Sequence, residues 1–167
     1  MTILKNKIST SSIESVLVNV ARFLLSATFI FSGFVKSLDP KGTGYKLSAY
    51  IEKFGFSNFV SDDVTLAIGV VLASVEFLLG IYLLFGIRRR FTTFILLIVM
   101  ALFTPFTLYL AIANPVHDCG CFGDAIILTN WQTFFKNIVL LAFAILVFYR
   151  KEKLFRLVPA GDSDHQI

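Results

Sequence analysis

Charge is scarce in this chain: 16% of its 167 residues are Asp, Glu, Lys or Arg, while 56% are hydrophobic, 19 of them Phe, and the mean hydropathy is +0.79. So small a polar share cannot cover a soluble domain of this size, which excludes a water-soluble globular protein and makes the membrane the solvent to reason with. Strict apolar-polar alternation is also missing, which excludes the strands of a transmembrane barrel. No small-x-small cleavage site follows the first apolar stretch, and that stretch is too long for a signal-peptide h-region, so it is expected to remain as a helix. The formal net charge is +4. Its basic residues flank apolar segments, so they set topology and do not describe a nucleic-acid surface.

What is present is four apolar segments, each near the roughly 20 residues that a helix needs to cross a core of about 30 Å. They run over residues 16–35, 64–87, 91–113 and 131–149. The expected fold class is an all-α integral membrane protein, one domain over 1–167: a four-transmembrane-helix bundle with outer loops 36–63 and 114–130 and a short tail 150–167. The fourth segment opens on Thr129-Asn130-Trp131-Gln132, a capping-box pattern. Pro105 predicts a kink in the third. The final residues, VPAGDSDHQI, form a short polar tail in which His165 has no expected role.

Orientation follows from Lys and Arg, which are enriched on cytoplasmic flanks. One face collects Lys5, Lys7, Arg22, Arg88, Arg89, Arg90, Arg150, Lys151, Lys153 and Arg156; the other has Lys36, Lys41, Lys46, Lys53 and Lys136. Both termini and the triple arginine are therefore expected in the cytoplasm, and the loops 36–63 and 114–130 outside. The first of these loops is too long for a simple turn. Leu47, Tyr50, Ile51 and Phe54 repeat at helical spacing there, with Lys46, Ser48, Glu52 and Lys53 on other faces, which predicts an amphipathic helix at the outer membrane boundary, entered through the turn LDPKGTG.

The second outer loop contains NPVHDCGCFGD, with both of the chain's cysteines, Cys119 and Cys121, around Gly120. Outside the cytoplasm thiols so placed form disulfides or cycle between states. A pair at i and i+2 reaches the Cα separation of a disulfide, roughly 4.4–6.8 Å, only through a turn that Gly120 permits. Such a bond closes too short a loop to constrain the unfolded chain much, so redox exchange is the sharper expectation. Free cysteines without chemistry are one alternative. A metal site drawn from His117, Asp118, Cys119, Cys121 and Asp124 is another, although the spacing matches no common zinc pattern and no second ligand cluster exists.

Two ionisable residues, Arg22 and Glu76, interrupt the expected spans, and each needs a partner or a cavity. At 1.5 Å per residue Arg22 lies roughly 9 Å in from the inner start of the first span and Glu76 roughly 18 Å in from the outer start of the second, which puts them at similar depth and predicts an interhelical pair. Such a pair serves either helix register or a proton path or quinone pocket.

Taken together, FIFSGFVKSLDPKGTGYKLSAYIEKFG, VEFLLGIYLLFG and CGCFGD, in this order, resemble the DoxX-like membrane proteins, and among them the branch of the methylamine utilisation protein MauE. The likeness runs from about Arg22 to Tyr149. It implies a four-helix protein of the bacterial inner membrane, similar in architecture to vitamin K epoxide reductase and its bacterial relatives. MauE is associated with disulfide formation in a periplasmic enzyme, and DoxX relatives with thiosulfate or quinone oxidoreduction. By position the resemblance makes Cys119 and Cys121 the redox pair and Glu76 the acid of the second span. Lys36 and Asp39 become an outer-loop signature. The chain departs from the vitamin K epoxide reductase pattern in having a single cysteine pair, so a periplasmic thioredoxin-like partner would have to complete any relay to a quinone. A thiol-disulfide oxidoreductase or accessory is the first expectation. A non-catalytic subunit of a larger inner-membrane complex is the alternative, and a transporter through Arg22 and Glu76 is a third.

Overall fold

The computed structural model describes residues 2–53, 55, 61–114, 120–123 and 125–154, with side chains from Ile13 onward. Phe54, His117, Asp118, Cys119, Asp124 and the tail with His165 lie outside the described residues. Those described form α1 (Thr2–Leu38), α2 (Pro40–Lys53), α3 (Asp62–Phe85), α4 (Arg89–Ala113), α5 (Asn130–Tyr149) and a short 3-10 turn over Lys151–Lys153. Four stretches are long and apolar enough to cross a membrane: Ile13–Leu38, Asp62–Phe85, Arg89–Ala113 and Asn130–Tyr149. The fold is a four-helix membrane bundle. Large side chains such as Val71, Leu102, Ile112 and Phe135 face outward, while Ser26, Ser32, Thr107 and Asn137 are buried. This is the arrangement a lipid solvent favours, since helices meet there through small and polar residues.

Local chemistry explains the boundaries. The first span runs three residues further out than the apolar run suggests, through Lys36 to Leu38, because the charge of Lys36 is neutralised inside the bundle and need not end the helix. Asp39 then separates two helices: its Oδ1 accepts the backbone N–H of Gly42 at 2.9 Å, and Pro40 occupies the first helical position, where its missing N–H costs nothing. LDPKGTG is therefore the end of α1 and the first turns of α2, and not a separate turn. At the far end of α3, Gly86 at φ 69° closes a Schellman pair, with Gly86 N–H to Leu83 O and Ile87 N–H to Tyr82 O. The capping box of α5 forms as its sequence predicts: Thr129 Oγ1 accepts from Gln132 N–H, and Gln132 Oε1 from Thr129 N–H. Pro105 stays inside a continuous α4.

α1 packs chiefly on α3 and also on α5, and α4 pairs with α5. One apolar cluster includes Leu25, Leu83, Leu96, Ala144 and Val147. At one end Glu14 binds Lys153 and lies 3.6 Å from Arg150, while Arg89 and Arg90 each approach Glu152 at 3.9 Å. At the other end α2 stands against the first turns of α3. A Cβ on Gly44 would meet Leu66 Cα at 3.3 Å, Ser48 and Thr65 hydroxyls share a hydrogen bond of 2.9 Å, and Tyr50 meets Phe106 of α4 edge to face.

Candidate functional site

The register of α1 against α3 is set by glycine. A Cβ on Gly33 would fall 2.6 Å from both Ala73 O and Phe77 N, and one on Gly80 2.8 Å from Ile30 N, so only hydrogen fits between the backbones. This close approach brings Glu76 of α3 level with Ser32 and Lys36, which lie one turn apart on α1. Lys36 Nζ donates to both carboxylate oxygens of Glu76 at 2.7 Å, and Ser32 Oγ stands 2.7 Å from Glu76 Oε2. Lys36 is 5% exposed and Glu76 7%. A pair so deep is held by geometry, because neither charge is tolerable there without the other.

The expected Arg22–Glu76 pair is corrected by this register. Arg22 lies ten residues before Ser32 on α1, about 15 Å along the axis, and its guanidinium stacks over Phe23 at 4.8 Å, fully buried. The depth calculation failed because it began the first span at residue 16 and ended it at 35, and because the outer turns of α3 stand beside α2, beyond the end of α1. Lys36, assigned to the outer loop, is the partner that Glu76 finds.

The described part of the cysteine loop docks directly onto this pair. Ser32 Oγ donates to the carbonyl of Cys121 at 2.6 Å. Lys46 of α2 donates from Nζ to the carbonyl of Gly123 at 3.2 Å, and its stem runs across Gly120, where a Cβ would fall 2.6 Å from Lys46 Cδ. Gly120 and Gly123 both adopt left-handed backbone, at φ 64° and 55°, which glycine takes without strain. Between them Phe122 packs edge to face on Phe31 at 5.5 Å and carries Lys136 Nζ over its ring at 4.1 Å. Cys121 is disulfide-bonded.

Behind the loop lies a cavity of about 50 Å³ lined by Ser32, Lys36, Glu76, Cys121, Lys136 and Asn137 on its polar side and by Phe29, Met100, Phe103 and Leu140 on its apolar side. Its polar array continues into α4, where Asn137 Nδ2 donates to Thr107 Oγ1 at 3.2 Å. At about 10–15 Å³ per ordered water the cavity has room for a few waters. Among the described residues no three His, Cys, Asp or Glu side chains gather as metal ligands, and His117 and Cys119 of the weighed metal set lie outside them.

Of the other expected residues, Asp39 is a helix cap and touches neither the cavity nor the loop bonds above. Sequence reasoning missed Ser32, Lys46 and Lys136. Ser32 and Lys36 at i and i+4 in an otherwise apolar helix were a readable signal. Nothing in the sequence points from Lys46 to Gly120, which is a contact made only by the fold.

The sequence matches the family model described as methylamine utilisation protein MauE over residues 14–150. No curated protein and no solved structure matches the chain.

Proposed function

The chain belongs to the MauE family, and from that premise we propose that it serves methylamine utilisation from the bacterial inner membrane through thiol-disulfide exchange in its extracytoplasmic loop. The observation that carries this reading is Cys121, disulfide-bonded in a loop tied to a buried Lys36–Glu76 pair. In the exchange a thiolate of a partner dithiol attacks the loop disulfide, forming a mixed disulfide and releasing one loop thiolate, which takes up a proton. The partner's second thiol then resolves the intermediate, so the partner gains a disulfide and Cys119 and Cys121 become thiols. Re-oxidation falls to a second, thioredoxin-like protein, since the chain has no further cysteines to relay the electrons. Orientation is supported by Arg89, Arg90, Arg150 and Lys153, which cluster at the end of the bundle opposite the loop. The wider DoxX kinship is an inference from motif order. The test is a C119S/C121S variant in cells, with trapped mixed disulfides and the oxidation state of partner thiols as readouts. Loss of both is the expected result. Full partner oxidation by the variant removes the reading and leaves the subunit role.

A further inference from the structure

Among the described residues, three charged side chains line the cavity behind the cysteine loop: Lys36, Glu76 and Lys136. Lys36 and Glu76 cancel, since one ammonium takes both carboxylate oxygens at 2.7 Å. Lys136 remains as the uncompensated charge. Its Nζ meets the ring of Phe122 at 4.1 Å, and no described carboxylate stands within ion-pair distance of it. The walls of Phe29, Met100, Phe103 and Leu140 screen that charge poorly, so the cavity favours an anion. An ammonium on a flexible stem, held only by a ring quadrupole, gains by turning to a full negative charge within its reach.

The group able to supply that charge is Cys121, which lines the same cavity and immediately precedes Phe122. In the disulfide its sulfur is neutral. Once the bond is cleaved, a thiolate at this half-buried position is disfavoured by desolvation unless a cation stands by. We propose that Lys136 is the counter-ion of the Cys121 thiolate, and that Cys121 is for this reason the sulfur released in exchange. A partner thiolate then forms its bond to Cys119, the Cys119–Cys121 bond breaks, and its electron pair leaves on Cys121, facing Lys136 until the thiolate takes up its proton. The lower the pKa of the leaving thiol, the faster it leaves. The other charged groups near Cys121 are already engaged: Lys36 of α1 with Glu76 of α3, and Lys46 of α2 with the Gly123 carbonyl. α4 lines the cavity only with Val99, Met100 and Phe103. Ser32 and Lys46 hold the carbonyls of Cys121 and Gly123, so the cysteine keeps its place when the disulfide is open. The role in turnover rests on the exchange reading above; the acidity of the thiol does not.

The experiment measures that acidity without any partner. In a C119S variant of the detergent-solubilised full chain Cys121 is the single thiol, and its rate of alkylation by iodoacetamide across a pH series follows the thiolate fraction. C119S/K136M and C119S/K136Q should move the midpoint up by at least about one pH unit, the lower end of what an adjacent opposite charge supplies. Two neutral variants are used in case one misfolds, and neither strands a carboxylate. C119S/K136R keeps the cation and should keep the midpoint of C119S. C119S/K36M/E76Q, which removes the cancelled pair, should not raise it. An unchanged midpoint in the folded neutral variants overturns the proposal, as does a rise in K136R or in K36M/E76Q as large as theirs. If the shift appears while C119S/C121S still oxidises its partner, the exchange reading falls and the counter-ion stands. Partner oxidation lost in C119S/C121S, with no shift in the neutral variants, removes the counter-ion alone.

Discussion

Replacing Lys36 by Met isolates the cost of the buried pair. The ammonium of Lys36 makes two bonds of 2.7 Å to Glu76, and both residues are almost fully buried, so the variant leaves a carboxylate with Ser32 beside it and, as the nearest remaining cation of the cavity lining, Lys136. Stranding one member of a buried pair costs about 3–5 kcal/mol, whereas removing both charges is often close to neutral. K36M should therefore lose about 3–5 kcal/mol, and K36M/E76Q should recover most of that loss although it carries one more substitution. The assay is reversible unfolding in mixed micelles, with wild type, both single variants and the double variant arranged as a cycle. A double variant whose loss equals the sum of the two single losses would refute the coupling, and with it the claim that Glu76 depends on Lys36 and not on Arg22. R22M in the same background should be additive with E76Q, since the two residues do not meet.

Three further outcomes are expected. Gly33→Ala places a methyl group within 2.6 Å of α3 backbone, and should cost about 1–3 kcal/mol in the same unfolding assay through forced separation of α1 and α3. Gly120→Ala combines a left-handed φ with displacement of the Lys46 stem, and should speed disulfide reduction while leaving global stability little changed; a clear loss of stability with no change in reduction would contradict it. Thr129→Ala removes the capping box of α5 and should cost about 1 kcal/mol, with faster hydrogen exchange confined to the first turn of that helix.

The spans were legible because lipid imposes a length and a composition on them, and the capping box because it is a local exchange of two hydrogen bonds. The pairing of Glu76 was not, since it depends on how far one helix slides along another, and that is decided by the steric fit of Gly33 and Gly80 against the facing backbone. A charged residue at the end of an apolar run, as with Lys36, is read as a boundary from sequence alone; only its partner across the interface shows that it belongs inside. Gly120 could be assigned a turn from its own chemistry. That Lys46, from a helix 74 positions earlier, would lie across it could not.

The described cysteine loop owes its shape to contributions from distant parts of the chain: Ser32 from α1, Lys46 from α2 and Lys136 from α5, none of them within the loop. Its behaviour is consequently not portable. A peptide with the sequence NPVHDCGCFGD, or the same residues grafted between two other helices, would carry the thiols without the hydroxyl, ammonium and ring contacts that hold Cys121 in place. Anyone redesigning this protein would have to transplant the outer third of the bundle as a block.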